Sequence, residues 1–308
     1  MAQHDILIKL EKHLTPKLPK PVRLSDYVAG IFETITTKKG MKKAIEKGLV
    51  KVNGDVSFTG RYISGGEIIE LYKKEDTDKA PIVKIKIEVL YEDDYLAILN
   101  KPAGIVVSGN KKHTLANALP FNLKKSSQKD VLPRPQPAHR LDFPTSGVIL
   151  VGKTANTLTA LNDLFRDRAI TKVYQTITQG VMANKEGKLE TTLKGKSAIT
   201  EYKVLQELPS PKFDQLNLVE LKPETGRRHQ LRIHMSELGN PILGDKQYGI
   251  EGKIMKGKGL YLHALSLSFD HPITKEKIEV STPLPAKFDK LLGNVIKDAV
   301  KEGRSEEE

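Results

Sequence analysis

Residues 139–152 read HRLDFPTSGVILVG, a short polar segment containing a proline that runs directly into an apolar stretch. The apolar residues at 148–152, followed by helix-forming sequence, predict a buried β-strand. Asp142 lies in the turn that precedes this strand. An aspartate in that position is usually an Asx-turn residue, so Asp142 taken alone does not indicate catalysis.

Short strands and a few helices surround this segment without regular alternation. Candidate strands, separated by turn-forming residues, lie at 85–88, 96–100, 148–152, 172–178, 216–222 and 278–281. Apolar residues at helical spacing predict one helix over 154–168, with Thr154 as its N-cap, and another over about 227–238 that stops at Gly239. This order favours an α+β fold with a mostly antiparallel, mixed sheet.

The first 72 residues predict a separate small α/β unit. Apolar residues recur at helical spacing from Leu24 to Ile31, and a second helix is predicted over residues 38–47. The Asn53-Gly54 dipeptide then indicates a hairpin turn, and a further strand follows at 67–71. The predicted order is therefore helix, helix, hairpin, strand.

Two domains joined by a short linker are expected. The stretch 73–81 is charged, lacks apolar periodicity and ends in a proline, as linkers do. It separates residues 1–72, whose predicted elements occupy about 21–72, from a larger domain over 82–300. Residues 301–308 end in three glutamates and are expected to form a frayed acidic tail.

Composition limits the classes of function. The chain has 308 residues with 50 Lys and Arg against 38 Asp and Glu, a formal net charge of +12, which favours a polyanionic partner such as nucleic acid. It contains no cysteine, which excludes disulfides and a thiol nucleophile. No apolar run is long enough to span a membrane, and the charged segment 1–13 lacks the apolar core of a signal peptide. A cytoplasmic location is expected.

The second predicted helix of the N-terminal unit is basic. The lysines that share its faces at helical spacing are Lys38, Lys39, Lys42 and Lys43. They are interpreted either as a solvated surface or as contacts to RNA phosphates. The segment resembles the small RNA-binding module of the ribosomal S-four type over about 21–72, most specifically in GLVKVNG at 48–54, although residues 36–40 replace its usual serine–arginine pair. The resemblance implies that this module binds RNA.

The residues around Asp142 leave two other kinds of site open. His139, Asp142 and Ser146 have the residue types of a hydrolase triad, but they are neighbours in sequence and no nucleophile-elbow motif accompanies them. His229 and His234 are potential metal ligands, but a separation of five residues places them about 140° apart around a helix. Neither a P-loop nor a GxGxxG motif is present.

The segment 139–147 resembles the signature of the RluA-type pseudouridine synthases, in which HRLD is followed by TSG. Segments that agree with the same family in order and spacing are KPAGI, KVYQTITQG, TGRRHQLRIH, NPILGD, YG, LHA and HP, at 101–105, 172–180, 225–234, 240–245, 248–249, 262–264 and 271–272. The resemblance covers about 82–290, and an N-terminal module of the S-four type is common in that family. It implies isomerisation of uridine in RNA, a reaction that gains and loses no atoms and needs no cofactor or metal.

The resemblance also implies roles for individual residues. Asp142 corresponds to the essential carboxylate at the sugar, Tyr174 to the tyrosine that stacks on the flipped uracil, and Arg232 to the basic partner of the carboxylate. Contacts to the RNA are implied for His139, Arg140 and Thr145, and Leu262 is interpreted either as an apolar contact to the uracil or as a core residue. Arg228 stands where the family usually has a small hydroxyl residue, and it is expected to contact the RNA. Whether Asp142 attacks the sugar carbon or removes a ribose proton is left open. Phe143 and Pro144 replace a charged or polar pair, so the fit to RNA is expected to differ.

The expected substrate is structured RNA, with ribosomal RNA of the large subunit favoured by family habit and transfer RNA as the alternative. A non-catalytic RNA-binding factor of ribosome assembly is the alternative class, but such a protein has no need of Asp142, Tyr174 and Arg232 together. The glycine-rich basic stretch 252–259 is interpreted either as a loop that grips RNA or as a flexible surface loop. A monomer is expected.

Overall fold

The computed structural model describes residues 7–74, 81–255 and 257–293. Residues 75–80 of the predicted linker and the whole predicted tail at 301–308 lie outside the described residues. The described residues form two main sheets, and the N-terminal sheet has its own hydrophobic core. No helix in these described ranges is long and apolar enough to cross a membrane.

The N-terminal part combines a four-stranded antiparallel sheet with two helices. Its elements are β1 (Leu7–Leu14), β2 (Val22–Arg23), α1 (Leu24–Tyr27), α2 (Lys38–Glu46), β3 (Val50–Val52), β4 (Asp55–Val56), β5 (Tyr62–Ile63) and β6 (Ile68–Lys74). The sheet has the order β1-β6-β3-β4, and β2 pairs with β5. Helix α2 forms as predicted because Thr37 caps it, accepting the N–H of Gly40, and because Met41, Ala44 and Ile45 bury its apolar face.

Two features of this part differ from the sequence-based prediction. The helix predicted from Leu24 to Ile31 ends at Tyr27, and the chain turns at Gly30, which adopts a φ of +81°. Strand β1 was not predicted, because its charged residues obscure its apolar ones. It pairs antiparallel with β6, and Leu10 packs against the N-terminal core.

The described residues of the larger part contain ten labelled strands, three labelled helices and one further helix. They are β7 (Glu88–Glu92), β8 (Leu96–Lys101), α3 (Leu115–Asn122), β9 (Val131–Pro137), β10 (Ser146–Thr154), α4 (Ala155–Arg166), β11 (Thr171–Gln179), β12 (Glu186–Leu193), β13 (Lys196–Ser210), β14 (Asp214–Pro223), α5 (Gln230–Glu237), β15 (Leu262–Asp270) and β16 (Lys277–Ser281). Residues 286–293 are also helical. The N-cap predicted at Thr154 is confirmed, since its side chain accepts the N–H of Thr157.

These ten strands form one sheet. Its order is β12-β13-β14-β11-β15-β10-β8-β7, with β16 paired to β15 and β9 paired to β10. All pairings between these strands are antiparallel except that of β10 with β15, which is parallel. The prediction of an α+β fold with a mostly antiparallel, mixed sheet is confirmed.

The parallel junction between β10 and β15 requires glycine at position 147. Gly147 has a φ of +114°, and a Cβ atom there would lie 2.1 Å from the carbonyl oxygen of Ala264. On the other side of β15, Tyr174 of β11 lies opposite the same Ala264. The junction therefore places the turn that carries Asp142 near the strands that carry Tyr174 and Leu262.

Candidate active site

Asp142 is held in the turn ahead of β10 by contacts on both sides. Leu141 is buried in the core of the larger part, and the carbonyl of Asp142 accepts the N–H of Thr145 at 3.1 Å. The next carbonyl, that of Phe143, accepts the N–H of Gly104 at 2.8 Å. The backbone that presents the carboxylate is thus fixed by packing and by hydrogen bonds, as a pre-organised site requires.

The carboxylate of Asp142 faces two basic side chains. Its Oδ2 lies 3.4 Å from Nη1 of Arg232, and its Oδ1 lies 3.8 Å from Nε2 of His229. The side chain of Asp142 is 15% exposed, so these charges are screened less than on an open surface. Burial lowers the pKa of His229, which Asp142 opposes only in part. Arg232, rather than His229, therefore supplies the positive charge that faces Asp142.

A second carboxylate fixes Arg232. Its Nε and Nη2 donate to Oδ2 and Oδ1 of Asp245 at 2.7 and 2.8 Å, and both side chains are buried. Asp245 also accepts the N–H groups of Gln247 and Tyr248 at 2.9 and 3.1 Å. Burial by itself raises the pKa of Asp245, but the hydrogen bonds and charge of Arg232, together with these two backbone hydrogen bonds, outweigh burial and lower it. Asp245 therefore stays ionised and leaves Nη1 of Arg232 for Asp142.

Tyr248 connects the two basic residues. The guanidinium carbon of Arg232 lies 5.0 Å from the centre of the Tyr248 ring, within the range of a cation–π contact. The Tyr248 hydroxyl lies 3.0 Å from Nδ1 of His229. His229 adopts a left-handed backbone, with a φ of +58°, at the N-cap of α5. The helix consequently begins at Gln230, three residues later than the sequence predicts.

A small cavity of about 90 Å³ lies beside Asp142. Tyr174 and Leu262 line it, and Leu262 is buried. Burial raises the pKa of the Tyr174 phenol, and the nearby charge of Asp142 adds to the effect, so the hydroxyl stays protonated. A carboxylate, an aromatic ring and an apolar wall together suit a flat, uncharged ligand ring beside an ionised group.

Lys101 lies behind the turn as a fully buried cation. Its Nζ donates to the carbonyls of Thr145 at 2.7 Å and Pro102 at 2.9 Å. Burial lowers the pKa of Lys101 to about 8, and attraction to Asp142 partly offsets that effect. Lys101 therefore ties the end of β8 to the start of β10 and remains mostly protonated at neutral pH.

The structure brings most of the predicted site residues together. The small cavity is lined by Asp142, Tyr174, Arg232, Arg140, Thr145, Arg228 and Leu262. His139 has a structural position instead: its Nε2 accepts the N–H of Leu150, its ring packs on Phe165, and burial lowers its pKa to about 3. Ser146 is hydrogen-bonded to His263 at 2.8 Å rather than to His139, so the hydrolase triad does not form.

The lysines of the N-terminal part that are predicted to contact RNA do not line the small cavity. Lys38, Lys39, Lys42 and Lys43 are exposed and form what we call the α2 lysine face. Lys38 forms an ion pair with Asp26 at 2.7 Å. In the part of the chain that the structure describes, no group of three or more His, Asp or Glu side chains is placed to hold a metal ion.

Three residues of the site were not predicted from the sequence. His229 was considered only as a metal ligand, whereas its ring approaches Asp142. Asp245 and Lys101 lie in segments that match the family pattern, but their spacing gives no sign of contact with Arg232 or with the turn. The fold brings these groups together across long separations in sequence.

Comparison with known proteins shows the family of the chain. Residues 95–237 match the sequence profile of the family described as RNA pseudouridylate synthase. The chain therefore belongs to the RNA pseudouridylate synthase family, and it is an RNA pseudouridine synthase, an isomerase.

Three relatives show how far the similarity extends. The ribosomal large subunit pseudouridine synthase D of Vibrio cholerae is 32% identical over 293 residues, which cover 85% of this chain and 88% of that protein. Its namesake from Haemophilus ducreyi is 33% identical over 301 residues, covering 88% and 90%. The solved structure of human RNA pseudouridylate synthase domain containing 1 is similar with a TM-score of 0.55 and 25% identity, over 70% of this chain and 96% of that one.

Proposed function

We propose that this enzyme isomerises uridine in large-subunit ribosomal RNA, with Asp142 as its catalytic carboxylate. The observation that carries the proposal is the chain of contacts from Asp245 through Arg232 to Asp142 at the edge of the small cavity. The names of the bacterial relatives support ribosomal RNA of the large subunit as the substrate.

Asp142 acts at the ribose of the target nucleotide. The reaction breaks the bond between N1 and C1′ and joins C1′ to C5 of the same base, while C5 loses a proton and N1 gains one. A carboxylate serves this exchange either as a nucleophile at C1′ or as a base that removes a ribose proton. Arg232 keeps Asp142 ionised, because a cation close to a carboxylate favours its charged form.

The small cavity receives the flipped uracil. Tyr174 stacks on the ring, and its protonated hydroxyl lies near the atoms between which a proton must move. Leu262 forms the apolar wall, and Arg140 fills the space that the base leaves in the RNA. Because the cavity is small in the free protein, we expect its side chains to shift when the base enters.

The N-terminal part supplies a second grip on the RNA. The module of the S-four type occupies residues 1–72 in this division, and the catalytic domain occupies 82–300. The linker predicted at 73–81 starts too early, because β6 continues to Lys74 and its last residues pair with β1. The separate core of the module and the exposed α2 lysine face support this division. Lysines at this spacing bind phosphates without reading sequence, so the module contributes affinity more than choice of uridine. We also propose that the protein is monomeric and cytoplasmic.

The test is isomerisation by the purified chain. Large-subunit ribosomal RNA and transfer RNA from cells that lack the chain are incubated separately with it, and pseudouridine is mapped at single-base resolution. New pseudouridine in the ribosomal RNA alone is the expected result. New sites only in transfer RNA would assign transfer RNA as the substrate instead. Binding without any new pseudouridine would favour the non-catalytic assembly factor. Asp142→Asn is expected to form no pseudouridine. Asp163→Asn, on the exposed surface of α4, is its matched control and is expected to be as active as the unaltered chain.

A further inference from the structure

A second, larger cavity adjoins the proposed active site. Its volume is about 1060 Å³, and Asp142, His229 and Arg232 line both it and the small cavity. Typical cavities for small ligands measure about 300–1,000 Å³, so this one has room for a group as large as a nucleotide. The proposed isomerisation takes place in the small cavity and leaves the larger one without a ligand.

The charge of the larger cavity suits a phosphate. Lys246 and Lys258 line it with exposed side chains, and neither forms an ion pair with any described residue. The acidic side chains on its wall are Asp142 and Asp245, and both are engaged by Arg232. The free charges at its rim are therefore positive and attract an anion.

The wall next to Asp142 suits a nucleobase. Phe143 and Pro144 line the cavity, and Phe143 is 54% exposed, so its ring is available to contact a ligand. The carbonyl of Phe143 accepts the N–H of Gly104, which fixes the backbone from which the ring extends. Exposed aromatic rings beside basic side chains are the means by which proteins hold unpaired RNA bases.

We propose that the larger cavity is a second nucleotide site, which holds an unpaired nucleotide next to the target uridine with its base on Phe143 and Pro144 and its phosphate at Lys246 and Lys258. This rests on the proposed function, because the covalent link to a uridine at Asp142 is what brings the neighbour there. The ligand class is thus single-stranded RNA, and the enzyme unstacks two nucleotides rather than one.

The test combines a protein variant with a missing base. The probe is a synthetic RNA hairpin that carries the mapped target uridine, made intact and with an abasic ribose directly 5′ or directly 3′ of that uridine. Affinities are measured by fluorescence anisotropy with Asp142→Asn, and with Asp142→Asn carrying Phe143→Ala in addition. Loss of one stacked base lowers affinity by about tenfold or more, so Phe143→Ala is expected to weaken the intact hairpin by about that factor.

The abasic hairpins then distinguish stacking from misfolding. The effect of Phe143→Ala is expected to shrink to less than about twofold for one of them, because that RNA has no base to lose. Equal weakening of all three hairpins, or no weakening of the intact one, would overturn the second nucleotide site. Phe143→Tyr keeps the ring, and we expect it to bind the intact hairpin normally.

Two lysines of one segment provide the matched charge control. Lys258→Gln is expected to weaken the intact hairpin, whereas Lys253→Gln is expected to leave it unchanged, since Lys253 does not line the cavity and pairs with Asp214. Equal effects of the two substitutions would contradict the proposed contact between Lys258 and the phosphate. Normal isomerisation of the intact hairpin by the unaltered chain, measured first, separates a failure of this site from a failure of the proposed function.

Discussion

The buried pair of Arg232 and Asp245 gives the sharpest prediction for stability. Asp245→Asn keeps the size of the side chain but removes its charge, leaving the guanidinium of Arg232 buried with only Asp142 at 3.4 Å. Removing one partner of a buried ion pair costs about 3–5 kcal/mol of unfolding free energy. Because asparagine retains one acceptor oxygen, we expect a loss near the lower end, about 3 kcal/mol.

The assay is urea unfolding of the full chain at pH 7, followed by circular dichroism. The matched control is Asp163→Asn, which breaks an exposed pair with Arg166 and should cost less than about 1 kcal/mol. The same loss predicts a fall in Tm of about 6–12 °C for Asp245→Asn, at roughly 2–4 °C per kcal/mol. Equal losses in the two variants would refute the claim that Asp245 anchors Arg232.

The pH dependence supplies an independent check on the same pair. The pKa of Asp245 is lower in the folded chain than in the unfolded one, so its contribution is fully present above the unfolded pKa of about 3.9. It is lost as pH falls through the folded pKa. The difference in stability between the unaltered chain and Asp245→Asn should therefore shrink below about pH 4. A difference that stays constant down to pH 3 would contradict an ionised Asp245.

Three further predictions concern the reaction, the buried lysine and RNA binding. Tyr174→Phe should lower the single-turnover rate of isomerisation more than the affinity for RNA, and an equal loss of both together with a lower Tm would assign Tyr174 to packing alone. The folded pKa of Lys101, about 8, is below its unfolded value, so stability should rise between about pH 8 and 10.4 in the unaltered chain. Lys101→Met should reduce this rise in urea titrations without abolishing it, because burial also lowers the pKa of Lys172 to about 8. An unchanged rise would assign it to groups other than Lys101. Glutamine in place of all four residues of the α2 lysine face should reduce the salt dependence of RNA binding by up to about three units of log–log slope, and an unchanged slope would remove that face from the RNA interface.

Local sequence signals predicted the elements that rely on local contacts. Strand β10 and helix α4, with the cap at Thr154, formed as predicted, because an apolar run and an N-cap act within a few residues. Strand β1 was missed, because it depends on pairing with β6, more than fifty residues away. The start of α5 was placed too early, because the left-handed backbone of His229 follows from its surroundings, not from helix propensity.

The same distinction between local signals and long-range contacts applies to the residues of the site. The family pattern identified Asp142, Tyr174 and Arg232, and the fold places all three around one small cavity. The family pattern did not indicate how Arg232 is held. Its bidentate contact with Asp245 depends on how the segment after α5 folds back onto that helix. The larger cavity was equally inaccessible from sequence, since its walls come from segments far apart in the chain.

The most direct measurement maps pseudouridine in total RNA from three kinds of cell: those with the unaltered chain, those without it, and those with only Asp142→Asn. We predict at least one site in large-subunit ribosomal RNA that is present with the unaltered chain and absent from the other two. A site that persists with Asp142→Asn would contradict the role of Asp142, and identical maps in all three would contradict the proposed activity on this RNA.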